Sequence, residues 1–340
     1  MTLEIVWFCA IAVLWGGYFV LEGFDFGVGE LLPFLARDEE ERSALLGTIG
    51  PHWDGNEVWL VIAAGATFAA FPAWYATMFS AFYLVLLLIL VLLIVRVLSF
   101  EWRERDEGAR WRGAWRWANT VSSVGAPFLW GVALASLLYG IPLDGNGDFT
   151  GNVLDLFNAY TVAAGVAVVL LFALHGATFL SLRAEGALRQ RAAGAAHRLS
   201  LPVALVVAAF LARTVAVAVD RNDRDLIAPL VPAAVGGLAL VLGAVFARRG
   251  RSGRAFGMTA VASLSIVATL FTALYDRVLV SAPNPERSLT ISNAATEHYA
   301  LSVITVVAAV LLPVMLLYQG WTYHVFRVRL RRPPSGSPTS

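Results

Sequence analysis

Nine apolar runs of membrane-crossing length recur along this 340-residue chain, and no other feature constrains its fold as tightly. They lie near residues 5–26, 54–71, 76–98, 117–139, 158–182, 199–219, 226–247, 256–280 and 299–325. A helix rising about 1.5 Å per residue crosses about 30 Å of hydrocarbon in roughly 20 residues. Lipid offers no partner to a free backbone N–H or C=O, so each run must close its own hydrogen bonds as a helix. The predicted class is an all-α integral membrane protein, a nine-helix bundle forming one polytopic domain over residues 1–330. Residues 331–340, rich in Pro and Ser, read as a disordered cytoplasmic tail. The run over 226–247 is the weakest, because Pro229 and Pro232 sit in its first turns, where proline is tolerated.

Composition narrows the function classes. Hydrophobic residues make up 58% of the chain and charged residues 14%, against about 25% charged in soluble domains. An ordinary soluble enzyme, a coiled coil and a disordered chain are thereby excluded. The net charge of +1 offers no field for nucleic acid. Cys9, the lone cysteine, cannot form an internal disulfide or a cysteine metal site. The leading run carries Glu4 where a secretory signal would be basic, so it is expected to stay as a membrane helix. Every basic residue is Arg and none is Lys; with abundant Ala and Gly this composition points to a GC-rich bacterial source.

Arginine placement sets the orientation. Alternate connections hold Arg37 and Arg42; Arg103, Arg105, Arg110, Arg112 and Arg116; Arg183, Arg189, Arg191 and Arg198; and Arg248, Arg249, Arg251 and Arg254. The C-terminal segment adds Arg327, Arg329, Arg331 and Arg332, whereas the opposite side has only Arg221, Arg224, Arg277 and Arg287. By the positive-inside rule the N-terminus lies outside and the C-terminus in the cytoplasm. An odd number of spans agrees with ends on opposite sides. On the outer side, residues 140–157 carry Asp144, Asp148 and Asp155 among glycines. They lack the spacing of a full calcium loop and read as turn chemistry. Residues 281–296 are long enough for an ordered outer loop.

Ionisable side chains inside spans are costly and mark function by default. The first set is Glu22-Gly-Phe-Asp25-Phe-Gly-Val-Gly-Glu30, at the inner end of the first run. Glu22 and Asp25 are three apart and share a helix face. Apolar character continues to Leu35, so this helix must tilt or extend into the cytoplasm. The second set is Pro51-His52-Trp53-Asp54-Gly55-Asn56-Glu57-Val58-Trp59, opening the second run on the same side. Asp54 or Asn56 could be a helix cap, with Glu57 favoured by the helix dipole. That reading leaves the rest of the cluster unexplained. Arg96 ends the third run on this side, as a counter-charge or as a snorkelling residue. His175 lies in the inner half of the fifth run, as a packed, hydrogen-bonded residue or as polar support for the acids. Acids, histidine and water at one depth are the chemistry of a proton relay. Haem ligation by this chain alone is not expected. His197 reads as part of an arginine-rich loop, and no pair of mid-membrane histidines stands out. No metal site is expected, and no catalytic group in the strict sense.

The two strings Glu22–Gly29 and Pro51–Trp59 together resemble subunit II of the cytochrome bd-type quinol oxidases. Phe68-Ala-Ala-Phe-Pro72, Arg96, Gly176-Ala-Thr178 and Leu312-Pro-Val314 through Trp321 fit the same pattern. The resemblance covers nearly the whole chain and is strongest through residue 105. It implies a bacterial terminal oxidase of the cytoplasmic membrane that oxidises quinol and reduces dioxygen to water. Haem b and haem d would reside in a partner, subunit I. This chain would be the haem-free subunit, supporting assembly and cytoplasmic proton delivery. The proton-route acids of the family fall on Asp25 and Asp54, with Trp53 beside them and with Glu22, Glu57 and His52 as neighbours. Glu22 stands where many relatives have Asp, and Glu57 where they have Gln, so which carboxylate relays stays open. A bound quinone in this subunit and small single-helix accessory subunits also stay open; menaquinol is the expected donor. The alternative from another class is a stand-alone proton-coupled transporter, which would show broken helices in corresponding halves.

Overall fold

The computed structural model describes residues 3–325 except 104, 107 and 283. The expected tail over 331–340 lies outside the described residues. Twelve helices follow in order: α1 (Leu3–Leu35), α2 (Glu39–Gly47), α3 (Trp53–Ala70), α4 (Pro72–Ala81), α5 (Tyr83–Trp102), α6 (Ala109–Tyr139), α7 (Ala159–Arg183), α8 (Gly186–Asn222), α9 (Ile227–Arg248), α10 (Ser252–Leu274), α11 (Ile291–Ala294) and α12 (His298–Val325). Strands β1 (Arg277–Leu279) and β2 (Leu289–Thr290) pair antiparallel between α10 and α11.

Eight of these helices are long and apolar enough to cross a membrane: α1, α5, α6, α7, α8, α9, α10 and α12. The expected run over 54–71 is α3, which is 18 residues long and carries Asp54, Asn56 and Glu57 in its first turns. Those polar residues keep it out of the apolar set. The expected run over 76–98 is divided at Phe82 between α4 and α5. Pro72 lacks an N–H and pushes the residue before it out of helical geometry; Phe71 sits at φ −133°, ψ 69°, and α3 ends there. The run over 256–280 is helical only to Leu274, after which the chain turns into β1. The arginines at 189, 191 and 198, and His197, read from sequence as a connection, are instead the first turns of α8, a helix of 37 residues. Its apolar segment starts near residue 199, and good helix formers extend it below.

Helix α1 runs 33 residues, about 50 Å at 1.5 Å per residue. It packs against α3, α6, α7 and α10, and helices α6, α7 and α10 form the inner layer. Helices α5, α9 and α12 present most of their apolar surface outward; only 6% of the most apolar stretch of α12 is buried. Close approach at the centre depends on two glycine pairs. A Cβ on Gly27 would stand 1.9 Å from the Phe172 carbonyl oxygen, and one on Gly131 would stand 2.7 Å from the Gly165 Cα. Backbones touch at both places, which is the small-residue packing of membrane helices.

The loops on the arginine-poor side are ordered. The Ile141 N–H donates to the Val280 carbonyl, and Arg287 Nη1 donates to the Leu143 carbonyl at 3.2 Å. Asp144 Oδ1 accepts from the Asn146 and Asp148 N–H groups at 2.8 and 3.0 Å, and these bonds hold its carboxyl below the usual range. Asp155 closes a capping box with Asn152. Turn chemistry thus occupies two of the three acids in residues 140–157.

Candidate functional site

The C-terminal half of α1 and the first turns of α3 face each other, and their polar residues meet there. Glu22 and Asp25 lie on one face of α1, both fully buried. The facing residue of α3 is Asn56, also fully buried. Its Nδ2 donates to Asp25 Oδ2 at 2.7 Å and to the Leu21 carbonyl at 3.1 Å. Its Oδ1 accepts from Tyr323 Oη at 2.7 Å and from Gln319 Nε2 at 3.1 Å, both on α12. A single amide therefore uses both ends to join three helices.

Arg96 reaches the cluster from α5. It is fully buried and pairs with Glu22 Oε1, and its guanidinium lies 4.3 Å above the Phe26 ring. It is a buried counter-charge, not a snorkelling one. Glu22 Oε2, Asp25 Oδ1 and Arg96 Nε and Nη2 have no hydrogen-bond partner among the described residues. Buried polar atoms require partners, and water is the group of suitable size.

The residues named from sequence divide into three groups. Glu22, Asp25, Asn56 and Arg96 come together, and Glu57, next along α3 from Asn56, is half-buried. His52 and Trp53 flank the set: the His52 ring stacks on Tyr323 at 4.4 Å, and Trp53 meets Phe100 at 5.6 Å. Asp54 does not join. It is exposed on the chain, because two residues before Asn56 is about 200° around the helix. Neither Asp54 nor Asn56 caps α3; its N-cap is His52. His175, on α7, is fully buried. Its ring nitrogens lie 2.7 Å from Thr259 Oγ1 and 3.0 Å from the Val20 carbonyl, and its ring stacks on Phe256 at 4.7 Å. A carbonyl only accepts, so Nε2 carries a proton. Both nitrogens are engaged, and neither of these bonds goes to an acid.

Several members of the site carried no flag in the sequence. Gln319 and Tyr323 lie in the last apolar run, where polarity alone could have marked them. Asn119 donates to Ser99 Oγ at 2.8 Å, and Ser99 Oγ donates to the Arg96 carbonyl at 2.5 Å, which ties α6 to α5 beneath the cluster.

A bundle of apolar helices that gathers buried acids and an arginine near its arginine-rich end defines a multi-pass membrane protein with a polar core cluster. The family model for cytochrome bd terminal oxidase subunit II matches residues 3–326, so the chain belongs to that family. It is 40% identical over 331 residues to cytochrome bd ubiquinol oxidase subunit 2 of Bacillus subtilis, covering 97% of each chain. It is 34% identical to cytochrome bd-I ubiquinol oxidase subunit 2 of Escherichia coli, over 95% of this chain and 93% of that one. A chain in the structure of bd oxidase from Geobacillus thermodenitrificans shares the fold, with TM-score 0.75, 19% identity, and coverage of 96% and 98%. The protein is a terminal oxidase subunit of the bacterial cytoplasmic membrane. The stand-alone transporter reading gives way to this membership.

Proposed function

We propose that this chain serves its oxidase by carrying cytoplasmic protons toward a haem-bearing partner and by bracing that partner in the membrane. The complex oxidises a membrane quinol and reduces dioxygen to water, with haem b and haem d in the partner subunit. The chain crosses the membrane nine times, α3 included, with its N-terminus outside and C-terminus inside. On that orientation the acid cluster sits near the inner leaflet, where the reaction's protons are drawn.

The observation that carries this reading is the pair of fully buried carboxyl groups, Glu22 and Asp25, on one face of α1, with the buried Arg96 paired to Glu22. One cation cannot neutralise two carboxylates, and surplus charge at this depth is costly. The set therefore has exchangeable protons as part of its make-up, as a relay requires. Asp25 is its centre: one oxygen accepts from Asn56, and the other meets no donor among the described residues. Asp54, exposed on this chain, is a group through which protons could leave toward a neighbouring chain covering that face.

Asp25→Asn in the intact complex tests the reading. Oxygen consumption at saturating quinol is expected to fall roughly tenfold or more, since a relay group is lost. The visible haem spectrum should be unchanged. Parental turnover in this variant would remove proton delivery from the proposal and leave the bracing role.

A further inference from the structure

One buried acid plays no part in the cluster described so far. Glu30, on α1 two turns beyond Glu22, is 5% exposed, and neither carboxylate oxygen has a hydrogen-bond partner among the described residues. It lines a cavity of about 1030 Å³ bounded by α1, α6, α7 and α8. The same cavity touches Arg37, Arg191 and Arg198, so it opens at the arginine-rich end. Behind the residue before Glu30, α6 presents polar side chains. That residue, Gly29, packs so closely on α6 that a Cβ there would stand 2.0 Å from Ser123 Oγ and 2.9 Å from Asn119 Oδ1. Both of those oxygens are also buried, with no hydrogen-bond partner among the described residues. From Asn119 the bonded chain continues through Ser99 to the backbone of Arg96, whose side chain holds Glu22.

We propose that this cavity is the cytoplasmic proton entrance of the subunit, and that the Glu30 carboxyl takes protons from it and passes them inward. Ser123 and Asn119, with bridging water, form the path to the Arg96–Glu22–Asp25 set. Eight residues separate Glu30 from Glu22, about 12 Å along the helix, too far for direct transfer. The two α6 side chains lie beside that gap. In each cycle Glu30 gains one proton from cavity water and yields one inward, so its own state is restored. The arginines at the mouth supply positive potential while Glu30 carries charge. Glu30 lines the cavity with both carboxyl oxygens buried, and a packing role alone would not call for an acid there. The proposal rests on the proton-delivery reading and names where that route begins.

The test uses the intact complex in a Cys9→Ser background. Glu30→Gln is expected to lower turnover roughly tenfold at unchanged haem content. Glu30→Asp should restore at least half of it, and the solvent deuterium isotope effect should rise in the Gln variant. A second arm needs no change at Glu30. Gly194 lines the cavity, and a Cβ there meets nothing within 4 Å. Gly194→Cys labelled with a bulky maleimide after assembly should slow turnover only when labelled. If Glu30→Gln and the labelled complex both run at the parental rate, the entrance is not here. If Asp25→Asn is slow while those two are not, this entrance falls and proton delivery stands. If Asp25→Asn is also fast, the delivery reading falls with it.

Discussion

Asn56 decides the geometry of the acid cluster more than any acid does. Its Nδ2 fixes Asp25 and the Leu21 carbonyl, and its Oδ1 gathers Gln319 and Tyr323. Asn56→Ala would leave Asp25 Oδ2 and Tyr323 Oη without these bonds inside the bundle. An orphaned buried polar group costs about 1–3 kcal/mol. The variant complex should therefore melt several degrees lower, measured by thermal unfolding in detergent, and more than Asp54→Ala, whose side chain is exposed. The sequence made Glu22, Asp25 and Arg96 legible because each is a charge within an apolar run. It could not separate Asp54 from Asn56, since both are polar residues in one helical turn and only the neighbour's position says which faces inward. Gln319 and Tyr323 were illegible for another reason. They reach Asn56 across more than 260 residues of chain, and no local spacing encodes that.

At the scale of elements, α2 is a short amphipathic helix held to the bundle by charge. Asp38 caps it by accepting from the Glu41 N–H at 2.8 Å. Glu39 binds Arg103 at 3.1 Å, beyond the end of α5, and Glu41 binds Arg191 of α8 at 2.5 Å. The hydrogen bond from Arg191 holds the Glu41 carboxyl below its ordinary value, aided by the Arg37 N–H. A lowered folded-state value means the contact stabilises above the unfolded carboxylate pKa of about 4.3 and is lost as pH falls through the folded one. Amide exchange over residues 39–47, corrected for intrinsic rate, should be equal at pH 7 and pH 5 and accelerate only below about pH 4.3. Arg191→Gln should show the faster exchange already at pH 7. Equal protection in that variant would mean α2 is held without this pair. None of this was visible beforehand: the arginines at 189, 191 and 198 read as loop, because an apolar-run criterion stops where a helix leaves the hydrocarbon. The same criterion overran at Leu274, where residues as apolar as Val278 and Leu279 belong to a strand.

For the whole molecule, the prediction concerns which end of the bundle faces the cytoplasm. Eight helices satisfy length and apolarity, and α3 does not because it carries the acids that give the site its character. The feature that weakens α3 as a span in sequence is thus the feature that makes it functional. A crossing α3 keeps the arginine-rich connections on one side, as the contact of Glu39 with Arg103 requires. Which side that is can be read in a Cys9→Ser background with single cysteines at Gly113 and Gly145, where an added Cβ meets nothing within 4 Å. Gly113 lies in the first turns of α6 among arginines, and Gly145 in the loop beyond that helix's other end. With the N-terminus outside and nine crossings, a membrane-impermeant maleimide added to whole cells should label Gly145→Cys and not Gly113→Cys, and inverted vesicles should reverse the pattern. Label at Gly113→Cys in whole cells would invert the bundle. It would move the acid cluster and the Glu30 cavity to the outer face, away from the proton supply they are proposed to use.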